Sequence, residues 1–312
     1  MDTYHQRYLA EEVAEDCALG LMTRREALRR LGMMGFTAFG ASALLAACAS
    51  DDKNGATGSS TTAPSASGPT PTPTTTPATA AGGATPADTT ETITYPSGRT
   101  TPLTGAWAPA TDPKGAVVVI HENRGLTRHI RTVASLLAAD GYSAIAVDLL
   151  SEEGGSAKVG EADAGAALNA AGGSRHVNDV RSTLDELATR QPGAKLGMIG
   201  FCFGGTTAWA VLGSGESRVA AATPFYGTVE PTVDFSGAKA AVLGVYAELD
   251  TRVNATRDTA RAALEKAGLT HELRTFPGVN HAFFNDTGER YDATQASAAY
   301  QAVLDWFARH LA

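Results

Sequence analysis

The stretch Lys195–Gly213, KLGMIGFCFGGTTAWAVLG, decides the fold. Its first part, LGMIGF, is an unbroken apolar run of strand length, and its last, TTAWAVLG, has the composition of a helix body. At the junction Cys202 stands between Gly200 and Gly204, with Gly205 following. A sharp strand-to-helix turn drives its apex residue toward strained backbone angles. It also brings neighbouring chain so close that the flanking positions carry almost no side chain. Small-x-nucleophile-x-small is the sequence form of that turn, usually with Ser at the apex and here with Cys. The helix start behind the apex favours a thiolate and presents backbone N–H groups to an oxyanion. A buried structural cysteine is the competing account of the same residues.

Similar apolar runs recur on either side. Thr92–Tyr95, Gly105–Ala108, Ala116–His121, Ser143–Leu149, Leu196–Phe201, Val219–Tyr226, Ala241–Ala247 and His271–Phe276 read as strands. The middle ones, AVVVIH, SAIAVDL, LGMIGF and AVLGVYA, are almost continuously apolar, as suits strands buried on both faces of a parallel sheet. Amphipathic segments follow at Ile130–Ala139, Val177–Arg190, Ala255–Ala267 and Ala293–His310. Strand and helix in alternation predict an α/β domain over residues 92–312, a mostly parallel sheet of about eight strands with helices on both faces.

A nucleophile at such a turn needs a base and a group that orients the base. In this architecture the chain order is nucleophile, acid, histidine, each beyond the carboxyl end of a strand. AAVLGVYAELD places Asp250 there, with Glu248 and Asp286 as alternative acids. PGVNHAFF, directly after the last strand, offers His281. The run AVVVIHENRG ends where this architecture supplies its second oxyanion donor, so the backbone N–H groups of Asn123 and Phe203 are the candidates. Glu122 would bring a carboxylate close to the thiol, an odd neighbour for a site that only binds an oxyanion.

Composition narrows the function classes. The 312 residues carry a formal net charge of −8, with no block of Lys or Arg after residue 30, which argues against nucleic acid as a partner. Three cysteines, Cys17, Cys48 and Cys202, are too few and scattered for a disulfide framework or a zinc site. No metal-ligand cluster or nucleotide-binding loop stands out, and neither a metal nor a cofactor is expected.

The first fifty residues read differently. A basic cluster, TRREALRR at Thr23–Arg30, precedes the uncharged LGMMGFTAFGASALLAA of Leu31–Ala47, the layout of an export signal. The paired arginines resemble a twin-arginine signal. Leu45-Ala46-Ala47-Cys48 resembles a lipobox, which implies cleavage before Cys48 and acylation of its sulfur. An uncleaved anchor helix or a plain soluble signal are the alternatives, and Met22 is a second candidate start. Residues 1–47 are thus expected to be a twin-arginine-type lipoprotein signal. Residues 48–91, rich in Ser, Thr, Pro, Ala and Gly, are expected to be a disordered tether. The product would be a membrane-anchored lipoprotein, periplasmic or on the cell surface.

VVVIHENRGL, GFCFGG, YAELD and PGVNHAF together resemble the dienelactone hydrolase (carboxymethylenebutenolidase) family of α/β-hydrolases, from about Ala116 to the C-terminus. The resemblance implies the α/β-hydrolase fold and a Cys-His-Asp triad that opens an enol-lactone. Cys202 would be nucleophile, His281 base and then acid, Asp250 its orienter, and Glu122 the group that holds the resting thiol. Where family members acting on dienelactone carry a substrate-gripping arginine, four residues after the catalytic histidine, this chain has Asn285. Arg175 and Lys158 lie in the region of the second such arginine. Arg124, Arg252 and Arg290 could also supply charge, each expected to be solvated, and Arg124 and Phe283 are candidate substrate contacts. The resulting expectation is a monomeric hydrolase of small-molecule esters or lactones. A broad extracellular esterase on xenobiotic or polymer esters, and a non-catalytic surface binding lipoprotein, are the rival readings.

Overall fold

The computed structural model describes residues 2–51 and 87–312. Three helices come first, α1 (Asp2–Ala18), α2 (Arg24–Met33) and α3 (Ala38–Asp51). The sheet domain then runs β1 (Glu91–Tyr95), β2 (Leu103–Ala108), β3 (Gly115–Ile120), α4 (Arg128–Ala139) and β4 (Tyr142–Asp148). Two short helices, α5 (Ser156–Val159) and α6 (Glu161–Ala171), lead into α7 (Gly173–Arg190), β5 (Leu196–Phe201) and α8 (Phe203–Gly213). The chain closes with β6 (Val219–Phe225), β7 (Ala241–Ala247), α9 (Thr251–Asn254), α10 (Arg257–Lys266), β8 (His271–Phe276) and α11 (Ala293–His310).

All eight apolar runs form strands of one sheet, ordered β1-β2-β4-β3-β5-β6-β7-β8. β1–β2 and β2–β4 pair antiparallel, and every later pair is parallel. Every residue of β3, β4, β5 and β7 is buried, which explains their lack of alternation. The edge strands β1 and β8 are mostly exposed or half-buried, so their sequences alternate with polar residues. α7 and α8 pack on each other and on β3 and β5, while α4 covers β4 and α11 covers β6 and β7. This is the mostly parallel sheet with helices on both faces that the sequence predicts.

The N-terminal segment folds onto this domain. Thr23 caps α2 by accepting from the Glu26 backbone N–H at 3.2 Å, and Glu26 in turn pairs with Arg29 and Arg30, so the basic cluster is an amphipathic helix start. Tyr8, Leu9, Val13, Ala27, Leu31, Met34 and Leu45 of the three helices are buried together. α1 also packs against α6, α7 and α8 of the sheet domain. Among the described residues no helix is long and apolar enough to cross a membrane. The expected tether lies, over residues 52–86, outside the described residues; Cys48 lies within α3.

Candidate active site

Cys202 adopts φ 57° and ψ −118°, in the left-handed half of the map where a non-glycine residue is strained. Its N–H donates to the Phe225 carbonyl at 3.1 Å and its own carbonyl accepts from Thr206 N–H at 3.0 Å, which locks the turn between β5, β6 and α8. A Cβ on Gly200 would collide with the Gly204 carbonyl, and one on Gly204 with the carbonyls of Ile120 and His121. The two glycines therefore let strand, turn and the neighbouring β3 end converge beneath the sulfur. Phe203 opens α8, so its N–H is one of the donors a helix start leaves without an internal partner.

The loop after β3 is pinned by His121. Its Nδ1–H donates to the Glu122 carbonyl at 2.6 Å and its Nε2 accepts from Leu149 N–H at 3.2 Å, a neutral tautomer. Burial lowers its pKa and keeps it neutral. Glu122 itself is buried, with Oε2 accepting from the Asn285 amide at 2.6 Å and Oε1 without a hydrogen-bond partner. The Asn285 carbonyl accepts from both the backbone N–H and the hydroxyl of Thr287, at 3.0 and 2.7 Å, which turns its NH₂ toward Glu122.

Asp250 does two things at once. One carboxylate oxygen accepts from Val253 N–H at 3.0 Å and caps the helical turn α9; the other meets Nδ1 of His281 at 2.7 Å. Both side chains are fully buried. The loop carrying His281 is held by Leu249 N–H donating to the Val279 carbonyl at 2.9 Å, and the Tyr226 ring lies 4.8 Å from the imidazole. Of the alternative acids, Asp286 pairs with His129 at 2.7 Å, and Glu248 accepts from Gly278 N–H on the surface.

Helix α1 supplies the other half of the site. The Tyr8 hydroxyl donates to the Cys202 sulfur at 3.2 Å. Glu12 Oε1 stands 3.3 Å from His281 Nε2, while its Oε2 is paired with Arg252. Arg252 also pairs with Glu15 at 2.8 Å and lies over the Tyr8 ring, and Arg290 pairs with Asp16 at 3.2 Å. The Cys202 sulfur, a Glu12 carboxylate oxygen and a ring nitrogen of His281 all lie within 4.8 Å of one another. Among the described residues this is the one cluster of His, Cys and acidic groups compact enough to hold a metal ion, a donor set that suits zinc.

Electrostatics follow from that packing. Burial, then Glu12, push the Cys202 thiol above its ordinary pKa, against the opposing pull of His281. Burial works against a charged His281, yet Glu12 and then Asp250 carry its pKa well above the ordinary value. The expected thiolate-favouring elbow is therefore overridden here, because the sulfur is buried and a carboxylate from α1 sits beside it. A cavity of about 300 Å³ remains on the other side of Cys202, lined by Glu12, Glu122, Asn123, Arg124, Asn285 and Arg290 among others.

With this geometry in place, the comparisons with known proteins have a physical counterpart. A model of the dienelactone hydrolase family matches residues 104–311. The chain belongs to the dienelactone hydrolase family. A Yersinia pestis protein named "Putative carboxymethylenebutenolidase" is 31% identical over 228 residues, which span 64% of this chain and 80% of that protein. A Synechocystis protein of the same name is 31% identical over 215 residues, spanning 62% of this chain and 86% of that one. Among solved structures, one described as a "Putative Dienelactone Hydrolase" from Klebsiella pneumoniae shares 26% identity and a TM-score of 0.61, covering 71% of this chain and 98% of that chain. The dienelactone hydrolase of Anabaena variabilis, at 21% identity and a TM-score of 0.55, shares the fold.

The structure brings Cys202, Asp250, His281, Glu122 and Asn123 to one place, as the sequence implies for a dienelactone hydrolase family member. It corrects three assignments. Phe283 is fully buried between Tyr226 and Phe276, at ring separations of 5.8 and 5.5 Å, and anchors the His281 loop from below rather than touching substrate space. Arg252 and Arg290 are not solvated: their side chains are 15% and 18% exposed and both are committed to carboxylates of α1. Arg175 is tied to Glu153 and to the Leu149 carbonyl and does not line the cavity. Arg124 does line it and is half exposed. Tyr8, Glu12 and Asp16 were absent from the sequence-derived site. Their four-residue spacing puts them on one helical face, and the acidic cluster Glu11, Glu12, Glu15 and Asp16 is the sequence signal that could have drawn attention to it.

Proposed function

We propose that this family member hydrolyses a small carboxylic ester or lactone through a cysteinyl acyl-enzyme. The observation that carries this reading is a strained elbow sulfur close to an imidazole whose Nδ1 is held by a buried carboxylate at 2.7 Å. His281 takes the thiol proton, and Cys202 Sγ attacks the carbonyl carbon to give a tetrahedral oxyanion. The backbone N–H groups of Asn123 and Phe203 receive that charge. Collapse breaks the ester C–O bond, with His281 returning its proton to the leaving alkoxide. A water molecule, deprotonated by His281, then attacks the thioester and releases a carboxylic acid and the free thiol. In a lactone the alkoxide and the acyl group are one molecule, so the product is a single hydroxy acid. Asp250 keeps the proton on Nδ1 and so leaves Nε2 as the working nitrogen. Glu122, gripped by Asn285 in the same cavity, is assigned the role of holding the resting thiol by the family resemblance, once Tyr8 no longer covers the sulfur.

The cavity volume of about 300 Å³ suits a small substrate rather than a polymer segment. Asn285 already spends its amide on Glu122, so a carboxylate-bearing substrate would have to draw on other cations. Residues 1–47 act as a twin-arginine-type signal, and Cys48, once acylated, anchors the enzyme outside the cytoplasm. Metabolic labelling with an alkyne palmitate, lost on Cys48→Ser, would establish that step, and unlabelled wild type would reject it. The hydrolytic reading is tested in the full chain with p-nitrophenyl acetate and enol-lactones. Cys202→Ala should lower kcat/KM by about 10³-fold or more, the usual scale for losing a nucleophile. Equal turnover by that variant would exclude the mechanism.

A further inference from the structure

The family match begins at residue 104, so α1 lies wholly outside the matched hydrolase domain, yet it reaches the centre of the site. Its contacts there are not neutral filler. The Tyr8 hydroxyl covers the sulfur at 3.2 Å, on which any carbonyl carbon must land. Glu12 lies 3.3 Å from Nε2 of His281, the nitrogen that has to receive the thiol proton. The helix is held in place by acid–arginine pairs, Glu12 and Glu15 with Arg252 and Asp16 with Arg290.

α1 is joined to the domain by apolar packing as well as by these ion pairs. α1 runs between two cavities, one of about 300 Å³ beside Cys202 and one of about 890 Å³ on its other flank. Its own apolar residues, Leu9 and Val13 among them, are buried in one cluster with Ala27 and Leu31 of α2, Leu45 of α3 and the core of the sheet domain. Buried ion pairs contribute little net stability, because desolvation of both charges offsets their attraction. The polar anchors therefore add little net hold, and reversing their charge shifts the helix toward leaving.

We propose that α1 is a tethered inhibitor of this chain's own active site, blocking Cys202 with Tyr8 and occupying His281 with Glu12 until the helix departs. The inference rests on the reading of Cys202 and His281 as nucleophile and base. The imidazole is hydrogen-bonded to Asp250 through Nδ1, and the Glu12 carboxylate 3.3 Å from Nε2 closes the edge that must meet the leaving group. The sulfur stays a thiol under a tyrosine. The cut expected ahead of Cys48 would remove α1 to α3 together, so that maturation and activation become one event.

The test uses the full chain carrying Glu12→Lys and Asp16→Lys, which set like charges against Arg252 and Arg290 and leave residues 87–312 unchanged. Two rates are read, alkylation of Cys202 by iodoacetamide and turnover of p-nitrophenyl acetate. Both should rise about tenfold or more, since an occluded site reacts in proportion to its open fraction. A second form guards against misfolding: an otherwise wild-type chain with a protease site inserted within residues 52–86, nicked after folding and diluted. It should show the same gain, reversed by a synthetic peptide of residues 2–51. Faster alkylation without ester turnover in any form would support occlusion and reject the hydrolase reading. Unchanged rates in both forms, or a loss of turnover on undocking, would overturn the inference and make α1 part of the working site.

Discussion

At Cys202 two neighbours act on one proton in opposite directions: His281 favours the thiolate, while Glu12, with burial, favours the thiol. Glu122 and Tyr8 also face the sulfur, the first as a further negative charge and the second as a hydrogen-bond donor. Burial and Glu12 prevail, so the reactive form appears only as pH rises past the ordinary thiol range. In the full chain the pH midpoint for Cys202 alkylation should therefore lie above that of a free thiol, and Glu12→Gln should move it down. A wild-type midpoint below the free-thiol value would contradict this balance. The residues that the sequence made legible are those on the sheet's carboxyl edge, because strand order and turn chemistry fix where Cys202, Asp250 and His281 stand. Tyr8 and Glu12 were not legible, since nothing local links a helix at the chain start to a turn nearly two hundred residues later.

Among the elements, the β5–α8 elbow carries the site, and its geometry depends on absent side chains. Gly204→Ala would press a methyl group into the Ile120 and His121 carbonyls and displace the loop that bears Glu122 and Asn123. Such overpacking costs about 1–3 kcal/mol, which a lowered denaturant midpoint would register together with loss of turnover. An unchanged midpoint would show that the loop gives way freely. The His281 loop is built differently, from aromatic weight: Phe283 and Phe284 are buried, and Phe284 stacks on Phe201 at 5.2 Å. Its sequence, HAFF, reads equally well as a substrate-facing aromatic pair or as an anchor. Only the chain direction after Ala282, held at φ 62°, turns Phe283 inward. The central strands are legible because continuous apolar runs have one stable use in an α/β sheet, and the edge strands because their β-rich residues alternate with polar ones.

Across the whole molecule, an acidic helical segment sits on a hydrolase domain, and the buried Asp16 between them predicts a pH-dependent attachment. Asp16, facing Glu12, Arg290, His281 and Arg124, has its pKa pushed up to about 6 by burial and then by Glu12. A raised carboxyl pKa means that its contribution to docking is complete below its unfolded value and fades as pH rises through about 6. His281, its own pKa raised, weakens docking in the same direction on the alkaline side. Release of α1, followed by a fluorophore placed on the exposed Arg7→Cys site in a Cys17→Ser, Cys48→Ser background, should increase between about pH 4 and 6 in the chain with native Asp16 and lose that step in Asp16→Asn. A flat profile with native Asp16 would remove this group from the attachment. The sequence reads residues 1–47 only as a signal, because the helices there acquire their partners in the folded whole. The cysteinyl acyl-enzyme is tested most directly by intact-protein mass spectrometry of the full chain carrying Glu12→Lys and Asp16→Lys, which frees Cys202 of α1, quenched in acid during turnover of p-nitrophenyl acetate. One acetyl group mapped to Cys202, and absent from Cys202→Ala, is the predicted result; acetylation elsewhere, or turnover that leaves Cys202 unmodified under every quench, would contradict it.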